Sequence, residues 1–367
     1  MAVGLAGSPH QLTGNGPMST VGDVVDCEIR KWGGESFTVP AGYLNTASIG
    51  IPPASTADAV QTAVTNWRTG AARAPEFDEP VRIARAGWAR LIGVPTDRVA
   101  IGASVSQLVG LVAATVPDGA RVLTAANEFT SVSFPFAAQH ARGVRVDEAP
   151  LADVPRLAPD YDLVAVSVVQ SADGALVDLE ALRASEARVL LDVTQAAGWL
   201  PLSLDWASWV VGASYKWLFA PRGAAWMAGG EAELASLMPH SANWYGGEEP
   251  WQSVYGLPLR LAESARAFDL SPVWFAQAGA AVSVNWLAEL DLAAVRDHCV
   301  GLANQVLAGL GLPEGESAII ALDLPDAGAR LAAHGIATAS RAGQTRLAFA
   351  LYNTSEDAQA VLTALRG

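Results

Sequence analysis

The segment Arg188-Val189-Leu190-Leu191-Asp192-Val193-Thr194-Gln195 is an apolar run that ends on a carboxylate. Such a run reads as a buried strand of a parallel sheet, covered on both faces. A carboxylate closing it is costly unless it meets a cationic partner. Downstream, Ser208 to Ala213 reads as the next strand and leads into Gly212-Ala213-Ser214-Tyr215-Lys216-Trp217-Leu218. Lys216 is one of only two lysines, the other being Lys31. In apolar surroundings a lysine loses the hydration of its charged form, its pKa falls, and the neutral amine is free to bond to an aldehyde or ketone. Because this chain uses arginine for almost every other cation, Lys216 taken alone is equally a product of composition. The other residues around it decide between the two readings.

Outward from this segment, short apolar runs alternate with helical patterns from about residue 40 to 230, the signature of an α/β fold with a mostly parallel sheet. Arg98 to Gly102 reads as a strand followed by a helix from Val105 to Thr115. Arg121 to Ala125 is a strand, with a polar loop at Asn127 to Ser131 and a helix from Val132 to His140. Asp162 to Val169 reads as a central strand, and Gly223 to Ala228 as one returning antiparallel or at an edge. Past about residue 246 the pattern changes to long amphipathic helices between Val273 and Gly309, then strands at Ala318 to Leu324 and Thr345 to Tyr352. We divide the chain into a mobile N-terminal extension (1–37), a large domain (38–245) and a smaller α+β C-terminal domain (246–367). Met18 stands as an alternative start.

With 51% hydrophobic and 16% charged residues, 367 residues suffice for one large core or for two domains sharing an interface. The formal charge of −14 argues against nucleic acid or an anionic membrane as partner. No apolar run has the length and freedom from charge of a membrane span. Cys27 and Cys299 are too few for a disulfide framework, which points to a reducing cytoplasm, and no Cys/His spacing suggests a metal.

Ligands of open α/β sheets bind at the carboxyl ends of the strands, where these residues fall. Ser104-Val105-Ser106 opens a helix after a strand, so that backbone N–H groups and hydroxyls converge as they would on a phosphate, although a serine there is also an ordinary N-cap. Asp192 and Lys216 together supply what pyridoxal 5′-phosphate needs: an amine for the aldehyde and an anion for the protonated ring.

In this order the motifs resemble the class V aminotransferase family, fold-type I pyridoxal-phosphate enzymes that include cysteine desulfurases, kynureninase and isopenicillin N epimerase. The resemblance spans roughly residues 40 to 362 and implies a large domain with a mostly parallel seven-stranded sheet, a smaller α+β domain and a homodimer. Tyr43-Leu44-Asn45-Thr46-Ala47 is similar to the family's opening segment on the substrate side, which implies substrate contact by Asn45. Val105 and Ser106, with Ser104, stand where the family holds the cofactor phosphate. Glu128-Phe129-Thr130-Ser131 resembles the loop that stacks a ring over the cofactor, which would make Phe129 that ring. Asp192-Val193-Thr194-Gln195 is the strongest match and implies Asp192 at the pyridine nitrogen and Gln195 donating to the phenolic oxygen. Ser214-Tyr215-Lys216 resembles the kynureninase-type lysine motif, with Tyr215 on the phosphate and Lys216 as the Schiff-base lysine. Arg346, in a segment ending Tyr352-Asn353-Thr354, is implied as the clamp for the substrate carboxylate, and Ser271 as a hydroxyl reaching the phosphate across the dimer.

The departures are informative. The family's asparagine after the central strand has no match, and Gln170 or Ser171 stands in its place. Residues 300–367 contain no cysteine, where desulfurases carry their sulfur-accepting nucleophile, so a persulfide mechanism is disfavoured. The resemblance thus implies an enzyme acting on an amino acid, with transamination first and a carbon–sulfur or other β-lyase second. A catalytically silent binding module is the alternative outside enzymology, and the retained Asp192 and Lys216 argue against it. Trp244-Tyr245-Gly246-Gly247 reads as a loop able to move over the site.

Overall fold

The computed structural model describes residues 27–366. A hairpin of β1 (Cys27–Trp32) and β2 (Glu35–Pro40) leads into α1 (Ala54–Arg68) and α2 (Asp78–Ile92). The large sheet is then built from β3 (Val99–Gly102), α3 (Val105–Thr115), β4 (Arg121–Ala125), α4 (Thr130–Ala137), β5 (Arg145–Ala149), α5 (Val154–Leu157), β6 (Leu163–Ser167), α6 (Leu179–Ala184), β7 (Val189–Asp192), β8 (Trp209–Ala213) and β9 (Ala225–Gly229). After α7 (Glu231–Ser236) come the long helices α8 (Trp274–Leu287) and α9 (Leu292–Gly309). The chain closes with β10 (Ile319–Leu322), α10 (Ala327–Ala333), β11 (Ala339–Arg341), β12 (Gln344–Ala348) and α11 (Ser355–Arg366).

The seven-stranded sheet has the order β3-β9-β8-β7-β6-β4-β5. β8, β7, β6, β4 and β5 run parallel, whereas β9 is antiparallel to both of its neighbours and lies inside the sheet. The central strands are buried along their whole length because side chains alternate into two cores. Val164, Leu191 and Val210 face the core shared with α2 and α8, and Ala165, Leu190 and Val211 face the core shared with α3 and α4. A third core joins Leu44, the end of α9 and α11 to the small antiparallel sheet β10-β12-β11.

Two expected boundaries shift. Residues 1–26 of the expected extension lie outside the described residues, but residues 27–37 belong to the β1–β2 hairpin. Phe37 and Val39 are fully buried, and Phe37 packs against Phe219 and Tyr352 with ring centres 5.9 and 5.4 Å apart. Arg30 ties the hairpin to Asp357 of α11. At the other boundary, α8 and the first turns of α9 pack into the large core, so the cores divide nearer residue 300 than residue 246.

A buried ion pair fixes the β3 edge. Arg85 of α2 donates to Asp269 at 2.9 and 2.6 Å and to the Val99 carbonyl at 2.6 Å, and Asp269 also accepts the Ile101 N–H at 2.8 Å. Removing one partner leaves an uncompensated buried charge, so Asp269→Ala is expected to cost about 3–5 kcal/mol in denaturant unfolding. A loss below about 1 kcal/mol would mean that water reaches the pair.

Candidate active site

The carboxyl ends of β3, β4, β6, β7 and β8 open onto one cavity of about 150 Å³, whose walls include Ser104, Val105, Ser106, Phe129, Ser171, Asp192, Gln195, Tyr215 and Lys216. Eight of the eleven residues expected from the sequence thus line one cavity, whereas Arg346, Asn45 and Ser271 do not, and Ser171 joins the lining. Asp192 ends β7 and Lys216 follows three residues after the end of the adjacent parallel β8; they are 4% and 5% exposed and do not form an ion pair with each other. Opposite charges buried in one cavity without contact leave room for a group between them.

Burial pushes the Asp192 carboxyl above its usual range, opposed by the Thr194 N–H, which donates to it at 2.8 Å, and by the charge of Lys216. Burial lowers the Lys216 pKa from 10.5 to about 8. Asp192 opposes that shift, and Arg346, Arg341 and Arg222 reinforce it. The Lys216 Nζ lies 5.3 Å from the centre of the Phe129 ring, and Phe129, at the start of α4, is half-exposed at the cavity wall.

The lysine loop is fixed by close backbone packing. The Gly50 N–H donates to the Tyr215 carbonyl at 2.9 Å, and a Cβ at Gly50 would lie 1.9 Å from the Lys216 carbonyl oxygen. No side chain fits there. On the opposite side Gly198, at φ +105°, brings its Cα against the Trp217 carbonyl, which a Cβ would meet at 2.4 Å.

Ser104 caps α3, accepting the Gln107 N–H at 3.4 Å, so its hydroxyl does what an ordinary N-cap does. The N–H groups of Val105 and Ser106 have no acceptor among the described residues, and they are the donors that α3 offers to an anion.

Gln195 requires a correction. The indole of Trp217, which only donates, gives its N–H to Gln195 Oε1 at 2.8 Å and so sets the amide orientation. Gln195 Nε2 then donates to the Ala47 carbonyl and to Ser171 Oγ, each at 3.0 Å. Both amide hydrogens are engaged, so direct donation by Gln195 to a cofactor oxygen is not available in this arrangement. Ser171 Oγ accepts from Gln195 and, at 3.1 Å, from Arg346, which leaves its own O–H to point elsewhere. Of the two residues left open at the unmatched asparagine, Ser171 lines the cavity, while Gln170 is buried and donates to the Ala126 carbonyl.

Arg346, on β12, is 2% exposed and has no carboxylate within ion-pairing distance among the described residues. Its guanidinium donates to the carbonyl and hydroxyl of Ser171 and, at 2.9 Å, to Ser48 Oγ. Burial, with the nearby Arg341, lowers its pKa to about 10. A buried guanidinium held only by neutral oxygens is prepared for an anion.

Asn45 bridges to Ala348 and stands outside the cavity lining, with its side-chain oxygen buried and without a partner among the described residues. Ser271 is exposed before α8 and away from this chain's own cavity. The Trp244–Gly246 turn is packed in place: Tyr245 is buried, and Trp244 packs at a tilt of 52° against Trp251, which donates to Asp78 at 2.7 Å. It does not line the cavity. Cys299 is a buried helix residue whose thiol pKa burial drives upward.

Two residues escaped sequence reading. Arg222 lines the cavity with its guanidinium 4.8 Å from the Tyr215 ring centre. It stands six positions after Lys216, where only a turn was legible. Glu128 is buried under the Phe129 loop, accepting from Ser167 N and Oγ at 2.8 and 2.6 Å. A carboxylate just after an apolar strand was its available signal.

The cavity fits pyridoxal phosphate on these grounds: a buried acid and a buried amine held apart, a ring at the wall, free N–H groups at the start of α3 and the Arg222 guanidinium in the lining. Among the described residues no cluster suited to a metal occurs and no single helix is long and apolar enough to cross a membrane.

The profile of the family described as Aminotransferase class-V matches residues 46–321. The uncharacterized aminotransferase YcbU of Bacillus subtilis (strain 168) is 25% identical over 249 residues, a match covering 64% of this chain and 64% of that protein's length. Cysteine desulfurase CsdA of Escherichia coli shares the fold with a TM-score of 0.74 and 19% identity over 89% of this chain and 94% of its own. The cystine C–S lyase C-DES, solved with its product cysteine persulfide, does so with a TM-score of 0.78 and 18% identity over 89% and 97%. With the profile spanning most of the sequence and the fold shared over 89% of the chain, the chain belongs to the class-V aminotransferase family of pyridoxal-phosphate enzymes.

Proposed function

We propose that this protein binds an amino acid by its carboxylate at Arg346 and moves the proton at Cα with Lys216, with transamination as the overall reaction. The observation that carries this reading is the pair of opposite charges, Asp192 and Lys216, buried in one cavity without contact beside a buried arginine that lacks an acid. Pyridoxal phosphate, when bound, supplies an aldehyde for the substrate amine and a ring that takes up electron density. Asp192 holds the ring-nitrogen end, Phe129 covers the ring face, and Ser171 donates to the ring oxygen with Gln195 positioning it. Val105 and Ser106 through their N–H groups, Tyr215 through its hydroxyl and Arg222 through its charge hold the phosphate end. Lys216, with a pKa near 8, carries the covalent anchor and serves as the general base at Cα.

Arg222 is the one arginine in the cavity lining, so it is the fixed counter-charge we assign to the phosphate. Arg222→Met is expected to weaken pyridoxal-phosphate affinity about 10- to 100-fold while leaving affinity for unphosphorylated pyridoxal unchanged, as a charge-assisted contact worth about 1.5–3 kcal/mol requires. Equal losses for both compounds would remove Arg222 from that role.

A carbon–sulfur or other β-lyase would use the same residues up to proton removal. The holoenzyme incubated with single amino acids and no acceptor separates the two. Stoichiometric keto acid with conversion of the cofactor to its amine form supports transamination, and repeated release of ammonia and keto acid supports the lyase. We also assign a homodimer, for which the exposed Tyr255 and Leu257, at 87% and 89%, offer apolar surface, and in which Ser271 reaches the partner's phosphate. The two unpaired cysteines accord with a cytoplasmic location.

A further inference from the structure

Beside the cofactor cavity lies a second chamber of about 560 Å³. Helix α1 forms one wall with Thr56, Val60 and Val64, and Ile49, Phe219 and Pro221 form the other. Its size falls in the roughly 300–1,000 Å³ range of pockets that bury whole small ligands, far more than the side chain of alanine or cysteine needs.

Two observations join this chamber to the site. Tyr215 and Arg222 line both spaces. Ser48, on the chamber wall, is the residue to which Arg346 donates at 2.9 Å, so a carboxylate held at Arg346 lies at the chamber's edge.

We propose that this chamber receives the substrate side chain, and that the substrate is an amino acid with an extended apolar or aromatic side chain. The proposal rests on the reading of Arg346 as the carboxylate site. A short side chain would leave Val60, Val64 and Phe219 facing empty space or water, and a charged one would be desolvated against them.

The test is a spectral titration of the holoenzyme, following the visible cofactor band as alanine, 2-aminobutyrate, norvaline, norleucine, phenylalanine and aspartate are added. Each methylene buried is expected to tighten binding about fourfold, so norleucine should bind about 60-fold more tightly than alanine, and aspartate less tightly than alanine. Val60→Trp, which projects an indole into the chamber and narrows it, should lower the ratio of norleucine to alanine affinity. A flat series, a series that falls with length, or no response to any of these amino acids in a protein that shows the band would overturn the proposal. So would Val60→Trp turning a dimer into a monomer by light scattering with the length preference intact, which would make the chamber an interface between copies. Absence of the band itself would instead overturn the cofactor reading beneath it.

Discussion

Lys216→Ala is expected to lower turnover by at least about 10³-fold, because a positioned general base alone contributes about 10²–10⁴ and the covalent anchor is lost with it. The environment makes this lysine reactive. Burial lowers its pKa from 10.5 to about 8, and three arginines reinforce the shift while Asp192 resists it. The neutral amine therefore becomes the majority form above about pH 8 and not above 10.5. Covalent capture of pyridoxal phosphate by the wild-type apoprotein should accordingly rise with pH and reach half of its maximum near pH 8. Lys216→Arg keeps a positive charge but provides no nucleophile, and it should fail as completely as alanine. Retention of a tenth or more of wild-type turnover by Lys216→Ala would remove this residue from the centre of the mechanism.

Asp192→Asn is expected to reduce turnover about 10²- to 10³-fold, the range seen when one preorganised electrostatic contact is removed from a site. The substitution preserves size and takes away the charge. Two further readouts separate a functional role from a structural one. Asp192 is the group holding the Lys216 pKa up, so its neutralisation should shift the midpoint of cofactor capture below pH 8. Asp192 is also buried with no arginine or lysine in ion-pairing contact among the described residues, so the asparagine variant without cofactor should be as stable as wild type or more so. Lost turnover with retained or increased stability marks an acid kept for function. Lost stability with little change in turnover would mark a structural acid instead.

How much of this was legible in the sequence follows from what each residue's neighbours are. β7 and β8 could be read because their burial is continuous along the chain, α3 because its buried positions recur on one helical face, and Asp192 and Lys216 because polar groups after apolar runs are conspicuous. The β1–β2 hairpin was hidden because its inward pair, Phe37 and Val39, is short and lies beside a stretch rich in glycine and serine. β5 was missed because it is an edge strand with a polar, half-exposed pattern. The site was read less completely than the fold. The role of Gln195 depends on Trp217 fixing its amide, and the contact with Ser171 spans 24 positions of sequence, so no local pattern announces either. Arg222 looks like a turn residue until the cavity wall is traced. The resemblance supplied the family and the cofactor, whereas the hydrogen-bond directions around Ser171 came only from the three-dimensional arrangement.

The central claim is that Lys216 is the covalent anchor of pyridoxal phosphate opposite Asp192. It is tested most directly by treating the holoprotein with borohydride and mapping the reduced adduct by peptide mass spectrometry. The account requires a visible absorption band that disappears on reduction and a phosphopyridoxyl mass on the peptide containing Lys216. A protein that stays colourless with excess pyridoxal phosphate, or an adduct mapped to Lys31 with Lys216 unmodified, would contradict it.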